Sequence, residues 1–188
     1  MDSLIAILKS DPNTANAFGA LASAAAAGLA LLVSCISIGI SIWAAKIQRR
    51  HNELSVRPLA EVTVADYENS LRVKLRNNGS GPMLVSAVTV SDGKNALPCV
   101  VDWMPPLPGN RPWNTFTHAL HARTLQPGGE ITLIELTEHE GEKWFGKCRD
   151  LTRAALASLT VNVEYTDIYN TVLPPCKKSL SWFGRHEA

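Results

Sequence analysis

From Phe18 to Ala45 the chain carries no charged residue, a run longer than the roughly 20 residues an α-helix needs to cross a hydrocarbon core. Asp11-Pro12 precedes it in the order N-cap, first helical residue, and nothing interrupts the pattern before Arg57-Pro58. One helix is therefore expected over residues 13–56, serving as membrane span and stalk. Within it Asn16, Ala20, Ser23, Ala27, Ala30, Ser34, Ser37, Ser41, Ala44 and Gln48 recur at alternating spacings of three and four, which keeps them on one helix face. Every member is small or polar. The bulky Leu29, Leu32, Val33, Ile36, Ile40, Ile42 and Trp43 lie elsewhere around the helix. Residues 1–12 form a separate N-terminal segment, with a short amphipathic turn expected over residues 1–10.

After Pro58 the period changes from helical to alternating. Leu71, Val73 and Leu75 alternate with Arg72, Lys74 and Arg76, predicting a strand with one core face and one cationic face. The turn Asn77-Asn78-Gly79-Ser80-Gly81-Pro82, with Asn and Gly expected to supply positive φ, leads to an extended run from Leu84 to Val90. Further strands are predicted from Leu97 to Trp103 and from Ile131 to Leu136, and a helix from Lys147 to Ser158. The clearest hairpin joins Leu159–Thr166, through Asp167-Ile168-Tyr169-Asn170, to Thr171–Leu173 and then Leu180–Phe183. This pattern predicts a mainly-β domain over residues 57–188, a sandwich or small barrel with one short helix. The phrases Leu75-Arg-Asn-Asn-Gly-Ser-Gly-Pro82, Leu125-Gln-Pro-Gly-Gly-Glu130 and Val163-Glu-Tyr-Thr-Asp167 resemble those of immunoglobulin-like sandwiches, a fold that hosts many functions.

Charge fixes the expected orientation more than the function. Lys46, Arg49, Arg50 and His51 follow the apolar run, whereas Asp2, Lys9 and Asp11 precede it. The positive-inside rule then puts the N-terminus outside and the β-domain in the cytoplasm of a single-pass protein of the cell's inner membrane. A cleavable signal peptide fits less well, because its basic residues precede a shorter apolar core. Over 188 residues, Lys+Arg 18 against Asp+Glu 17 gives no bulk reason for an anionic partner. Cys35, Cys99, Cys148 and Cys176 are widely spaced and read as free thiols in a reducing compartment.

No G-x-S-x-G, P-loop, H-E-x-x-H, G-x-G-x-x-G or Cys-x-x-Cys motif is present. No catalytic residue, cofactor or metal site is expected; His118 and His121 lack an apparent third ligand. The candidates for ligand binding are the stripe Arg72, Lys74 and Arg76, the Pro-rich loop bearing Arg111 and Trp113, and the pair His121 and Arg123, taken to share a strand face. A cation beside an aromatic ring suits a phosphate and a stacked base. Each has a plainer reading: the stripe as the wet face of an edge strand, the loop as packing on the sandwich, the histidines as solvated strand residues.

A small-residue span, a stalk and a cytosolic β-domain resemble in layout the bacterial anti-phage membrane effectors, the Hailong-type channel effectors being the nearest family. The resemblance implies a homo-oligomer, with a tetramer favoured, in which an anionic nucleotide or single-stranded DNA oligomer bound to the β-domain gates an ion channel or membrane-disrupting pore. Asn16, Ala20, Ser23, Ala27, Ala30, Ser34, Ser37, Ser41 and Gln48 would then line the pore or pack the helices. The alternative is a membrane-tethered protein-interaction module whose helix anchors and dimerises. An enzyme using His118 or His121 is a third possibility and is not expected.

Overall fold

The computed structural model describes residues 12–186. The Asp11 cap and the expected amphipathic turn lie outside them. The chain divides into two compact units, at Asn52/Glu53.

The first unit holds all but the last three residues of α1, Pro12–Ser55, a single helix of 44 residues that is long and apolar enough to cross a membrane. It covers both the apolar run and the basic segment beyond it, as the absence of any internal breaker predicts. Its side chains from Asn16 onward are exposed up to Asn52, which suits a segment whose solvent is lipid or other helices.

The second unit is a sandwich of two antiparallel sheets. One has the order β1 (Ala60–Asp66), β2 (Ser70–Asn77), β7 (Glu130–Thr137), β5 (Thr115–Phe116). The other runs β4 (Ala96–Leu97), β3 (Met83–Ser91), β8 (Thr160–Thr166), β9 (Cys176–Ser179), with β6 (Arg123–Leu125) paired to the start of β3. In chain order this is the A-B-E-D and C′-C-F-G arrangement of an immunoglobulin-like Greek key; the sheets do not close into a barrel. Leu71, Val73 and Leu75 of β2, Val85 and Val90 of β3, Ile134 of β7 and Val161 and Val163 of β8 form the core between the sheets. The second helix, α2 (Phe145–Ala157), buries Phe145, Cys148, Thr152 and Leu156. Asp66, at the end of β1, has a fully buried carboxylate that takes both arms of Arg153 from α2 and, at 2.9 Å, Arg185 from the C-terminal turn. Desolvating a carboxylate is costly unless it is paired in this way.

Three details differ from the sequence reading. Leu97–Trp103 is not a strand: pairing with β3 stops at Leu97, because Pro98 has no N–H to donate, and Val101–Trp103 is a 3₁₀ turn closed by Trp103 N–H to Val100 O at 3.1 Å. Leu180–Phe183 is not the partner of β8 either. Pro174-Pro175 remove two donors, the strand is the polar Cys176–Ser179, and Leu180 and Phe183 are buried instead at the start of a 3₁₀ turn, Ser181–His186, where a spacing of three stacks side chains. The short helix begins at Phe145, two residues ahead of Lys147.

The turn after β2 also works differently from expectation. Neither Gly79 nor Gly81 adopts positive φ; both are required by close approach. A Cβ on Gly79 would overlap the Arg57 carbonyl oxygen, and one on Gly81 would overlap that of Val56. The strand-to-strand turn is thus the seat on which residues 56–59 lie. Gly81→Ala should lower the stability of the β-domain by about 3 kcal/mol or more through this overlap, while Gly146→Ala in α2, where a Cβ meets open space, should be neutral or mildly stabilising. Urea midpoints of the two variants check this; equal midpoints would contradict it.

Candidate functional site

The small-residue face of α1 is continuous. Ser23, Ser34, Ser37 and Ser41 each donate their hydroxyl hydrogen to the carbonyl four residues back, at 2.8–2.9 Å. Each hydroxyl is therefore satisfied within its own helix and leaves its oxygen lone pairs outward. Gln48 reaches Asn52 at 3.4 Å.

The cationic stripe is matched by carboxylates. β2 is an interior strand, not an edge, so Arg72, Lys74 and Arg76 have neighbours on both sides. Arg72 lies opposite Glu135, and Arg76 opposite Glu130 and Glu61. Lys74 binds Glu130 at 2.5 Å, and this bond, helped by the charges of Lys74, Arg76 and Arg72 against the effect of burial, lowers the Glu130 pKa. Cross-strand pairs of this kind stabilise a sheet and leave little net field for an anion.

Arg111 is likewise engaged inside the domain. Its side chain is only 8% exposed and pairs with Glu142, donates to Thr137 O at 2.5 Å and lies over the Phe145 ring at 5.7 Å. Trp113 is half-buried against the core. Together they fasten the Pro-rich loop to β7 and α2. His121 and Arg123 do not share a strand face: Ala122 between them has φ of 53°, β6 begins only at Arg123, and His121 Nδ1 lies 2.7 Å from Ser86 O.

The fold also makes two groupings that spacing could not reveal. Cys99, Asp102 and His118 bring sulfur, carboxylate and imidazole atoms within 4.8 Å of one another. Burial first, and then Asp102 beside it, push the Cys99 thiol up to about 11, so it is a hydrogen-bond donor to Asp102 and not a nucleophilic thiolate. The second grouping is a cavity of about 720 Å³ lined by Arg57, Pro58, Leu59, Ala60, Gly79, Ser80, Tyr165, Pro174, Pro175, Cys176 and Lys177. It offers two cations, a serine hydroxyl and a wall of prolines and apolar carbon, and none of these residues is acidic. One wall is formed by residues 57–60, which are seated on the Gly79 turn. Arg57 and Lys177 are 120 positions apart and share the cavity only through the fold, so no sequence spacing associates them.

The fold and this cavity define a β-sandwich domain joined to one long apolar helix. No known protein family, curated protein or solved structure matches the chain.

The Arg111 pair has a pH signature. Burial opposes ionisation of Glu142, but the His139 backbone N–H and Arg111 outweigh it and hold its pKa below the ordinary 4.5. A lowered carboxylate pKa adds stability that is present above the unfolded value and lost as pH falls through the folded one. Glu142→Gln should therefore flatten the loss of stability between about pH 5 and pH 3. Parallel stability profiles for variant and parent would contradict the pairing.

Proposed function

We propose that this chain is a homo-oligomeric, single-span membrane effector of the inner membrane, with its β-domain in the cytoplasm, that binds an anionic nucleotide or oligonucleotide and thereby gates a conduction path between its helices. One observation carries the reading: the cavity bearing Arg57 and Lys177 has no acid among its described lining residues, and its wall, Arg57–Ala60, is the chain segment that directly follows α1. Phosphate charge is favoured there, and a ring can lie against Pro174 and Pro175. A ligand acts on the helices only if it binds the cavity more tightly in one arrangement of this segment than in the other.

The helix supports the second half of the proposal. Small residues let helix backbones approach, and serines that donate inward turn oxygen lone pairs toward any central path, with no basic residue between Phe18 and Ala45 to oppose a cation. A cation-preferring path follows. The layout shared with anti-phage channel effectors makes phage defence the setting in which to test it.

A membrane-tethered interaction module is the second reading. It is favoured by the loop after β8, where Ile168, Tyr169 and Val172 are 48%, 47% and 82% exposed, an apolar tip suited to a protein partner.

Two measurements separate them. Binding of a short single-stranded DNA to the detergent-purified protein should weaken at least tenfold in Arg57→Glu/Lys177→Glu and change little in Arg72→Glu. With two phosphate contacts, log affinity should fall with log salt at a slope of about 1.4. In planar bilayers, Ser34→Leu/Ser37→Leu should abolish cation current while the protein still reaches the membrane. Normal current from that variant removes the pore, and binding unaffected by the charge reversal removes the cavity.

A further inference from the structure

We propose that Cys99, Asp102 and His118 form a binding site for one divalent transition metal of the zinc class, clipping together the two sheets at the open edge of the sandwich. The three ligating atoms already lie within 4.8 Å of one another. Around a tetrahedral zinc, bond lengths of about 2.0–2.3 Å place ligand atoms roughly 3.3–3.6 Å apart. The remaining closure is at most about 1.5 Å, within reach of side-chain rotation by the exposed Asp102 and His118 while the buried Cys99 stays fixed.

The backbone around the site is already set. Asp102 lies within two overlapping turns closed by Trp103 N–H to Val100 O and Met104 N–H to Val101 O, both at 3.1 Å, and Cys99 immediately precedes them. His118 follows Thr117, which β7 holds through its N–H to Leu133 O at 3.2 Å and its hydroxyl to Thr132 O at 2.7 Å. Preorganised ligands lose little entropy on binding. The mixed sulfur, nitrogen and oxygen set favours zinc over magnesium or calcium, which take oxygen alone. With three protein ligands, a fourth position is left for water on the exposed side.

Position in the fold gives the site a purpose. Cys99 follows β4, an edge strand of one sheet, and His118 follows β5, an edge strand of the other. Each of these strands has only two residues, and the chain between them is irregular apart from two 3₁₀ turns. A metal there joins the weakest edge of both sheets, and folding and binding become coupled. The Cys99 proton passes to solvent as the metal–sulfur bond forms.

The test uses the full chain in detergent, stripped with a chelator and titrated with Co²⁺. A near-ultraviolet thiolate-to-cobalt charge-transfer band, with intense tetrahedral visible bands, should saturate at one equivalent per chain and be displaced by Zn²⁺. Cys99→Ser should abolish the charge-transfer band. His118→Ala, a change at an exposed residue that the fold tolerates, should weaken Co²⁺ binding at least tenfold, while Cys176→Ser and His121→Ala leave it unchanged. Zn²⁺ at about a hundredfold excess over Kd should raise the melting midpoint by on the order of 10 °C. Absence of the band in the folded parent, its persistence in Cys99→Ser, or unchanged affinity in His118→Ala would overturn the site.

Discussion

The β-domain depends on one buried amide. Asn77, the last residue of β2, is fully buried and uses every hydrogen-bonding position of its side chain. Its Oδ1 accepts from Leu59 N–H at 3.2 Å and Gly79 N–H at 3.0 Å; its Nδ2 donates to Gly81 O at 2.8 Å and Leu125 O at 3.2 Å. Its backbone N–H donates to Gly129 O at 3.0 Å, and its carbonyl accepts from Gly128 N–H at 2.8 Å. Three segments distant in sequence, the exit from α1, the turn into β3 and the turn into β7, are thereby fastened at one point. A satisfied hydrogen bond contributes about 1 kcal/mol net, but each buried group orphaned costs about 1–3 kcal/mol. Removal of this amide would therefore cost a large share of the roughly 5–15 kcal/mol that holds a domain together.

That constraint explains why the residues following α1 belong to the sandwich. Ser80 Oγ donates to Ser55 O at 2.5 Å, Ser80 N–H to Arg57 O at 3.2 Å, and Asn78 N–H to Leu59 O at 2.8 Å. The two glycines admit the backbone, and the asparagine secures it. The cavity bounded by Arg57 and Lys177 opens beside this junction. In the proposed function a ligand in this cavity would act on the helix only by binding one arrangement of these residues more tightly than another.

The strands with clear alternation were legible in the sequence because their period is local: Leu71, Val73 and Leu75, or Val161 and Val163, declare a buried face without reference to any neighbour. The 44-residue helix was legible for the same reason. What depended on the third dimension was not. Cys99-Val100-Val101 has the apolar texture of a buried strand, and only the flanking Pro98 hints that the ladder stops. Cys176-Lys177-Lys178-Ser179 has no apolar face, yet it pairs with β8. The cationic stripe looked free because Glu61, Glu130 and Glu135 enter it from other strands. The sequence predicts positive φ at Gly79 and Gly81, whereas a Cβ at either position is excluded by a segment more than 20 residues earlier.

The proposed ligand binding would act at the junction between residues 57–59 and the Asn77–Ser80 turn. Amide hydrogen exchange of the full chain in detergent, with and without a saturating short single-stranded DNA, tests it most directly. Exchange should slow at Leu59, Asn78, Gly79 and Ser80, with little change along Arg72–Arg76. Unaltered exchange at the junction under saturating ligand, or protection confined to the β2 face, would contradict it.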